Sequence, residues 1–289
     1  MTTNLVVSIQ KNKHKGEKSM KAVLSGTSKK FKKAVSLVLG LCMVCALTMG
    51  FGAKEVKAAT PMKISIMGDS ISSFYNPGGY HSNDVTNTTT PFYPYPYAST
   101  GVDSLNDTCW MKVANSFNAQ IMSNDSIGAS RVANYNDGYA ATYFDQSARI
   151  NDLGNTSGSA KPDTILLFGG TNDACITDFN STDPINYWNR FTLSYADLVD
   201  SITRTYGSDV QIYCITPYNG WLVSNKTDHV SKVAYSIGLV VSQRSNCHLV
   251  DLSSLDFGSL GAEISGNGHP NAYGMEIIAQ RVISAIRQN

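Results

Sequence analysis

The chain has 289 residues, and 42% of them are apolar, enough to bury one large core or two small ones. Of the 23 Lys and Arg residues 11 lie within the first 59 positions, together with only 2 of the 22 acidic residues. The rest of the chain therefore has 12 basic and 20 acidic residues, a net charge of about −8. Without a basic stripe, nucleic acid is a poor candidate partner.

Residues 1–59 have the pattern of a signal peptide with a basic leader. Four lysines over 29–33 precede an apolar run over 34–53, and small residues around 56–58 follow. We expect cleavage near Ala58 or Ala59, export to the extracellular medium, and no stable membrane association afterwards. The alternative is a retained membrane anchor, because about 20 apolar residues can span a bilayer.

The cysteines beyond the leader are spaced too widely for a zinc knuckle. They are Cys109, Cys175, Cys214 and Cys247. In an exported protein four cysteines allow three disulfide pairings, and unpaired core thiols are the alternative.

From Met62 onward, short apolar runs alternate with longer amphipathic stretches, the pattern of βαβ units around a parallel sheet. Predicted strands cover 63–67, 120–124, 164–169, 210–216 and 248–252, and predicted helices cover 109–117, 144–153, 184–206, 228–244 and 272–287. Together they predict a flavodoxin-like three-layer α/β/α sandwich with a five-stranded parallel sheet. Its ligand site is expected at the carboxyl ends of the strands.

Residues 75–108 do not fit this alternation. They contain turn formers, Asn-Thr repeats and the aromatic run Phe-Tyr-Pro-Tyr-Pro-Tyr over 92–97. A long loop beside a site commonly contributes to recognition, so we favour a substrate-binding loop over a packed surface insertion.

Three motifs follow predicted strands or precede the last helix. Gly-Asp-Ser-Ile over 68–71 places the hydroxyl of Ser70 at the end of the first strand. Gly-Gly-Thr-Asn-Asp over 169–173 follows the third strand, and Asn172 could donate an amide N–H to an oxyanion there. Gly-Asn-Gly-His-Pro-Asn over 266–271 sets His269 in a loop bordered by glycines.

In this order the three motifs resemble those of the GDSL/SGNH hydrolase superfamily, over about residues 62–288. The resemblance implies that residues 60–289 form a serine esterase domain, with Ser70 as the nucleophile, His269 as its general base and Asn172 in the oxyanion hole. The family's glycine block falls at Gly128 or Ala129, whose backbone amide would also bind the oxyanion.

One position departs from the family pattern. The acid that orients the histidine stands three residues before it in the family, and here that residue is Gly266. Three interpretations follow: a Ser-His dyad in which a backbone carbonyl accepts the imidazole proton, a displaced acid such as Asp251 or Glu263, or an impaired enzyme. Loss of the carboxylate need not abolish catalysis, because the oxyanion hole and substrate binding still provide a large share of the rate enhancement.

The function expected from these observations is hydrolysis of short acyl esters, acetyl above all, on a carbohydrate or small-molecule substrate, by a monomer that needs no metal or organic cofactor. A lipase or thioesterase on longer acyl chains is one alternative, and an impaired glycan-binding domain is another. A metal-dependent phosphoesterase that uses Asp69, Asp173 and His269 is a weaker alternative, because hard metal ions usually need more carboxylates.

Overall fold

The computed structural model describes residues 60–74, 101–136, 143–154, 161–176, 184–223 and 227–289. The expected leader, 1–59, and most of the tyrosine-rich segment, 75–100, lie outside these ranges. Among the described residues, no helix combines the length and hydropathy needed to cross a membrane.

The described strands form one parallel sheet, as the sequence pattern predicts, and their order in it is β2-β1-β3-β4-β5. The strands are β1 (Lys63–Gly68), β2 (Gln120–Ser126), β3 (Thr164–Phe168), β4 (Gln211–Ile215) and β5 (Cys247–Val250). The chain leaves β1 for one neighbour, β2, and later crosses to the other, β3. The carboxyl ends of these three strands are therefore adjacent.

The helices lie in the connections between strands and after the last one. They are α1 (Cys109–Ser116), α2 (Ser147–Asp152), α3 (Thr171–Ala174), α4 (Pro184–Tyr206), α5 (Thr227–Val241), α6 (Phe257–Leu260) and α7 (Ala272–Gln288). The long predicted helix over 184–206 is confirmed in full. The short α3 and α6 are absent from the sequence prediction, because four residues give no measurable periodicity.

Strand side chains alternate between two cores, one on each face of the sheet. Along β3, Leu166 joins the cluster with α1 and α7, whereas Ile165 and Leu167 join the cluster with α2, α4 and α5. Burial on both faces explains why β3 is apolar after its first residue. The predicted three-layer α/β/α sandwich is confirmed.

The four cysteines in the described part of the chain form no disulfide with one another. Cys109, Cys214 and Cys247 are buried, and Cys175 is partly buried.

Candidate active site

The turns that follow β1 and β2 are joined through the end of β1. The carbonyl oxygen of Gly68 accepts the backbone N–H of Ile127 at 3.1 Å and the hydroxyl of Ser130 at 3.2 Å. Gly68 also lacks space for a side chain, because a Cβ there would lie 1.9 Å from the hydroxyl oxygen of Ser72. The turn that bears Ser70 is thus held against the turn that bears Gly128 and Ala129.

The structure brings Ser70 and His269 into direct contact. The hydroxyl oxygen of Ser70 lies 2.7 Å from Nε2 of His269, although 199 positions separate the two residues in the chain. Both side chains are part-buried. Burial lowers the pKa of His269 to about 4, while a hydrogen bond with the backbone of Asn267 acts in the opposite direction. The imidazole is therefore neutral near pH 7 and can accept a proton from the serine.

Backbone turns of left-handed conformation shape the loop of His269. Gly266 has φ +71° and Gly268 has φ +79°, a region that favours glycine. A Cβ on Gly268 would also lie 2.6 Å from the backbone nitrogen of Leu222, so this position requires close backbone approach. The hydroxyl of Tyr218 donates to the carbonyl oxygen of Gly268 at 2.8 Å and so holds the loop in place.

The loop ends in a helix cap. The side-chain oxygen of Asn271 accepts the backbone N–H groups of Tyr273 and Gly274, each at 3.0 Å, and so starts α7. This anchors His269 two residues before the N-cap of a long helix that is buried along one face.

The group beside the second nitrogen of the imidazole is an amide. Nδ1 of His269 lies 2.6 Å from Oδ1 of Asn267. The carboxylates of Asp251 and Glu263 have other partners: Asp251 accepts from Thr216 and Ser253, and Glu263 accepts the backbone N–H of Trp221. Sequence reasoning missed Asn267, although an amide acceptor two residues before the histidine was a visible signal.

The side chain of Asn172 is held at the end of β3. Its Nδ2 donates to the carbonyl oxygen of Ser130 at 3.0 Å, which uses one of its two N–H groups. Gly170 precedes it with φ +111°, and a Cβ there would lie 2.7 Å from Val233. The second N–H of the Asn172 side chain can therefore donate to an oxyanion.

Gly128 and Ala129 lie beside the serine. A Cβ built on Gly128 would lie 4.0 Å from Cβ of Ser70. Ala129 has φ +60°, a conformation that glycine adopts at lower cost, as expected for the position that aligns with the family's glycine.

Two buried carboxyl groups near the site have roles in the turns. Asp173 accepts the backbone N–H groups of Val132 (3.0 Å) and Ala133 (3.1 Å) and the hydroxyl of Tyr135 (2.8 Å). Oδ1 of Asp69 accepts the backbone N–H of Ile71 at 2.9 Å. Burial raises the pKa of Asp69 to about 7 and also raises the pKa of Asp173. Within the described ranges, no group of three His, Cys, Asp or Glu side chains could hold a metal ion.

Residues 62–286 match the model of the GDSL-like lipase/acylhydrolase family. The chain belongs to this family. As a GDSL-like acylhydrolase it is a carboxylic ester hydrolase, and the match spans the first strand through the last helix. The resemblance inferred from the three motifs is thereby confirmed.

Solved structures include similar members of this family. A protein described as a GDSL-like lipase from Bacteroides ovatus is 25% identical with a TM-score of 0.50, over 80% of this chain and 100% of that chain. A second one, from Bacteroides uniformis, is 22% identical with a TM-score of 0.52, over 80% of this chain and 98% of that chain, and bears on the fold alone. No curated protein matches the chain significantly.

Proposed function

We propose that this GDSL-like hydrolase is an exported serine esterase that removes short acyl groups, acetyl above all, from carbohydrate esters. The observation that best supports a serine mechanism is the 2.7 Å contact between Ser70 Oγ and His269 Nε2. The three strand-end turns beside it supply the donors that an acyl-transfer reaction needs.

In the proposed reaction the oxygen of Ser70 attacks the ester carbonyl carbon while Nε2 of His269 takes the hydroxyl proton. The tetrahedral intermediate collapses as His269 returns that proton to the alcohol, which leaves an acyl-serine. Water, deprotonated by the same imidazole, then attacks the acyl-serine and releases the acid and free Ser70.

The negative oxygen of each intermediate would lie among three donors. These are the free N–H of the Asn172 side chain, the backbone N–H of Gly128 or Ala129, and the backbone N–H of Ser70. Donors of this kind are worth about 3 kcal/mol each in the transition state of acyl transfer. They are already fixed by the hydrogen bond from Asn172 to Ser130 and by the turn that follows β2, so little free energy is spent on orienting them during the reaction.

The net charge of the chain beyond the leader and one exposed aromatic residue support a carbohydrate as the alcohol part of the ester. The chain beyond the leader has a net charge of about −8, which disfavours anionic polymers. Trp221 is 54% exposed and begins the short 3-10 helix Trp221–Val223. An exposed indole can stack on the apolar face of a sugar ring.

Trp221 directly precedes a residue that contacts both the loop of His269 and the end of the helix that includes Asn172. The next residue, Leu222, contacts the loop of His269 at Gly268, where a Cβ would lie 2.6 Å from its backbone nitrogen. The carbonyl oxygen of Leu222 accepts the thiol of Cys175 at 3.7 Å, just after the helix that includes Asn172. In the proposed complex the indole of Trp221 stacks on a sugar ring beside these two turns.

Rates of ester hydrolysis test the activity. Purified protein should release p-nitrophenol faster from the acetate ester than from the octanoate ester, and should release acetate from acetylated xylan. The Ser70→Ala and His269→Ala variants should each lose at least about 1,000-fold in kcat, and the double variant should lose little more, because the two residues act as a unit. A preference for octanoate would instead favour a lipase or thioesterase. Ester hydrolysis that survives in Ser70→Ala would reject the serine mechanism.

Export is tested separately from activity. The protein expressed from its complete sequence should appear in the medium with an amino terminus near Ala59 or Thr60. A chain that stays in the membrane fraction with residues 1–59 attached would favour the anchor instead.

A further inference from the structure

The amide oxygen of Asn267 accepts two N–H groups of the same residue. It lies 2.6 Å from Nδ1 of the His269 ring and 3.2 Å from the backbone nitrogen of His269. The backbone group can only donate, so the oxygen rather than the nitrogen of the amide must face His269. The orientation of the amide thus follows from chemistry.

We propose that Asn267 is the positioning residue that orients His269 and fixes its tautomer, in the place of the carboxylate that Gly266 removes. The proposal rests on the proposed serine mechanism and concerns how its base is prepared. The backbone of Asn267 is itself fixed, because its N–H donates to the carbonyl oxygen of Ile264 at 3.0 Å.

The hydrogen bond decides which ring nitrogen has the proton. An amide oxygen has no proton to donate, so Nδ1 must hold the N–H. A neutral imidazole with a proton on Nδ1 has its lone pair on Nε2. Nε2 is the atom that lies 2.7 Å from the hydroxyl of Ser70. Asn267 therefore selects the one neutral tautomer that can deprotonate the serine.

An amide differs from a carboxylate because it is neutral. Burial lowers the pKa of His269 to about 4, and the amide of Asn267 adds no negative charge to raise it. The ionisable groups on neighbouring elements are Asp69 beside Ser70, Tyr218, whose hydroxyl donates to the carbonyl of Gly268, and Glu263, whose carboxylate accepts the N–H of Trp221. The base thus stays unprotonated under mildly acidic conditions, at the cost of a weaker attraction for the imidazolium.

Three variants test this role in the full-length protein, with p-nitrophenyl acetate as the substrate. Asn267→Ala removes the side-chain acceptor and keeps the backbone of residue 267, with which the ring also forms a hydrogen bond. It should lower kcat about 10-fold or more with little change in KM, because the ring can then take the wrong tautomer. Asn267→Asp restores an acceptor and should recover kcat near neutral pH. Its negative charge should move the acidic limb of the pH profile upward by about 1–3 pH units. Asn115→Ala removes an exposed amide on α1 and is the matched control, expected to change nothing.

The ring tautomer can be observed directly. In a ¹⁵N–¹H correlation spectrum of the unliganded protein, His269 should have its proton on Nδ1, and Asn267→Ala should populate the other tautomer. If Asn267→Ala does not fold, the pH profile of Asn267→Asp decides alone. Wild-type kcat in Asn267→Ala, or an unshifted acidic limb in Asn267→Asp, overturns the positioning role. Hydrolysis that does not depend on Ser70 would instead defeat the proposed mechanism as a whole.

Discussion

Arg149 on α2 joins the ends of two strands from within the core. Its Nε lies 2.6 Å from the carboxylate of Asp125 on β2, and both side chains are at most 3% exposed. Its Nη2 donates to the carbonyl oxygens of Asp125 at 2.8 Å and of Gly68 at 3.0 Å. Gly68 is two residues before Ser70. The ion pair therefore supports the turn of the serine as well as the sheet.

Replacing only one member of this ion pair should lower the free energy of unfolding. Arg149→Met leaves the carboxylate of Asp125 buried without its cation, and we expect a loss of about 3–5 kcal/mol in the free energy of unfolding. The double variant Asp125→Leu, Arg149→Met should be more stable than either single variant, because it removes both charges of the pair. Urea denaturation measures all three. Arg244→Met breaks the exposed pair with Asp200 and should cost less than about 1 kcal/mol. A loss of unfolding free energy in Arg149→Met no larger than that in Arg244→Met would contradict a stabilising role of the buried ion pair.

Asn172 should act mainly in the transition state. Its Nδ2 is held by the carbonyl oxygen of Ser130, so the amide is oriented before substrate binds. Replacement by alanine should lower kcat about 100- to 1,000-fold, with KM changed by less than about 3-fold. Steady-state kinetics on p-nitrophenyl acetate give both values. A rise in KM with an unchanged kcat would show that Asn172 binds the ground state and not the oxyanion.

The pH dependence of activity should reflect the buried base. Burial lowers the pKa of His269 from 6.5 to about 4. Only the neutral ring accepts the serine proton, so kcat/KM should stay level down to about pH 5 and fall as the pH drops through about 4. The contribution of this group to stability has the same sign: it is complete above about pH 6.5 and is lost as the pH falls toward 4. A pH profile with its midpoint near 6.5 would contradict this expectation.

Asp69 should have the opposite effect on stability. Burial raises its pKa from 3.8 to about 7, so the folded state holds the proton more tightly than the unfolded state. Its contribution is complete at low pH and is lost as the pH rises from 3.8 through about 7. Asp69→Asn keeps the acceptor for Ile71 and cannot ionise. Its melting temperature relative to wild type should therefore be higher at about pH 8.5 than at about pH 5. The same difference at both pH values would show that Asp69 does not ionise in this range.

The architecture and the strand-end residues can be predicted from the sequence because they depend on local pattern. Strands such as β3, buried on both faces, are mostly apolar, and the ends of parallel strands meet at one edge. The same reasoning predicts that Ser70 and Asn172 lie near one another. The resemblance to the family adds the prediction that His269 lies beside Ser70 as its general base.

Other parts of the site depend on geometry that periodicity does not encode. The contact between Asn267 and His269 arises from a loop with positive φ at Gly266 and Gly268, and the sequence shows only two glycines there. Arg149 is a single basic residue on a short helix, a pattern typical of a surface. Its burial is decided by Asp125, a partner 24 positions earlier in the chain.

The exposed indole of Trp221 gives the sharpest test of the substrate class. It is 54% exposed on a segment that contacts the loop of His269, and in the proposed complex it stacks on a sugar ring of the alcohol part of the ester. Trp221→Ala should therefore raise KM about 10-fold for an acetylated xylo-oligosaccharide, a loss of about 1.4 kcal/mol, with kcat nearly unchanged. Glyceryl triacetate, which has no ring to stack, should be hydrolysed at the wild-type rate.

Two controls separate stacking from general damage to the site. Trp221→Phe keeps an aromatic face and should recover most of the affinity for the oligosaccharide. Tyr235→Ala removes an aromatic residue that is 74% exposed on α5 and should leave both substrates unaffected. Acetate release measured by titration at constant pH gives the kinetics for all variants. An equal loss on both substrates in Trp221→Ala would mean that the residue supports the loop of His269, and a loss on neither would remove Trp221 from the substrate site.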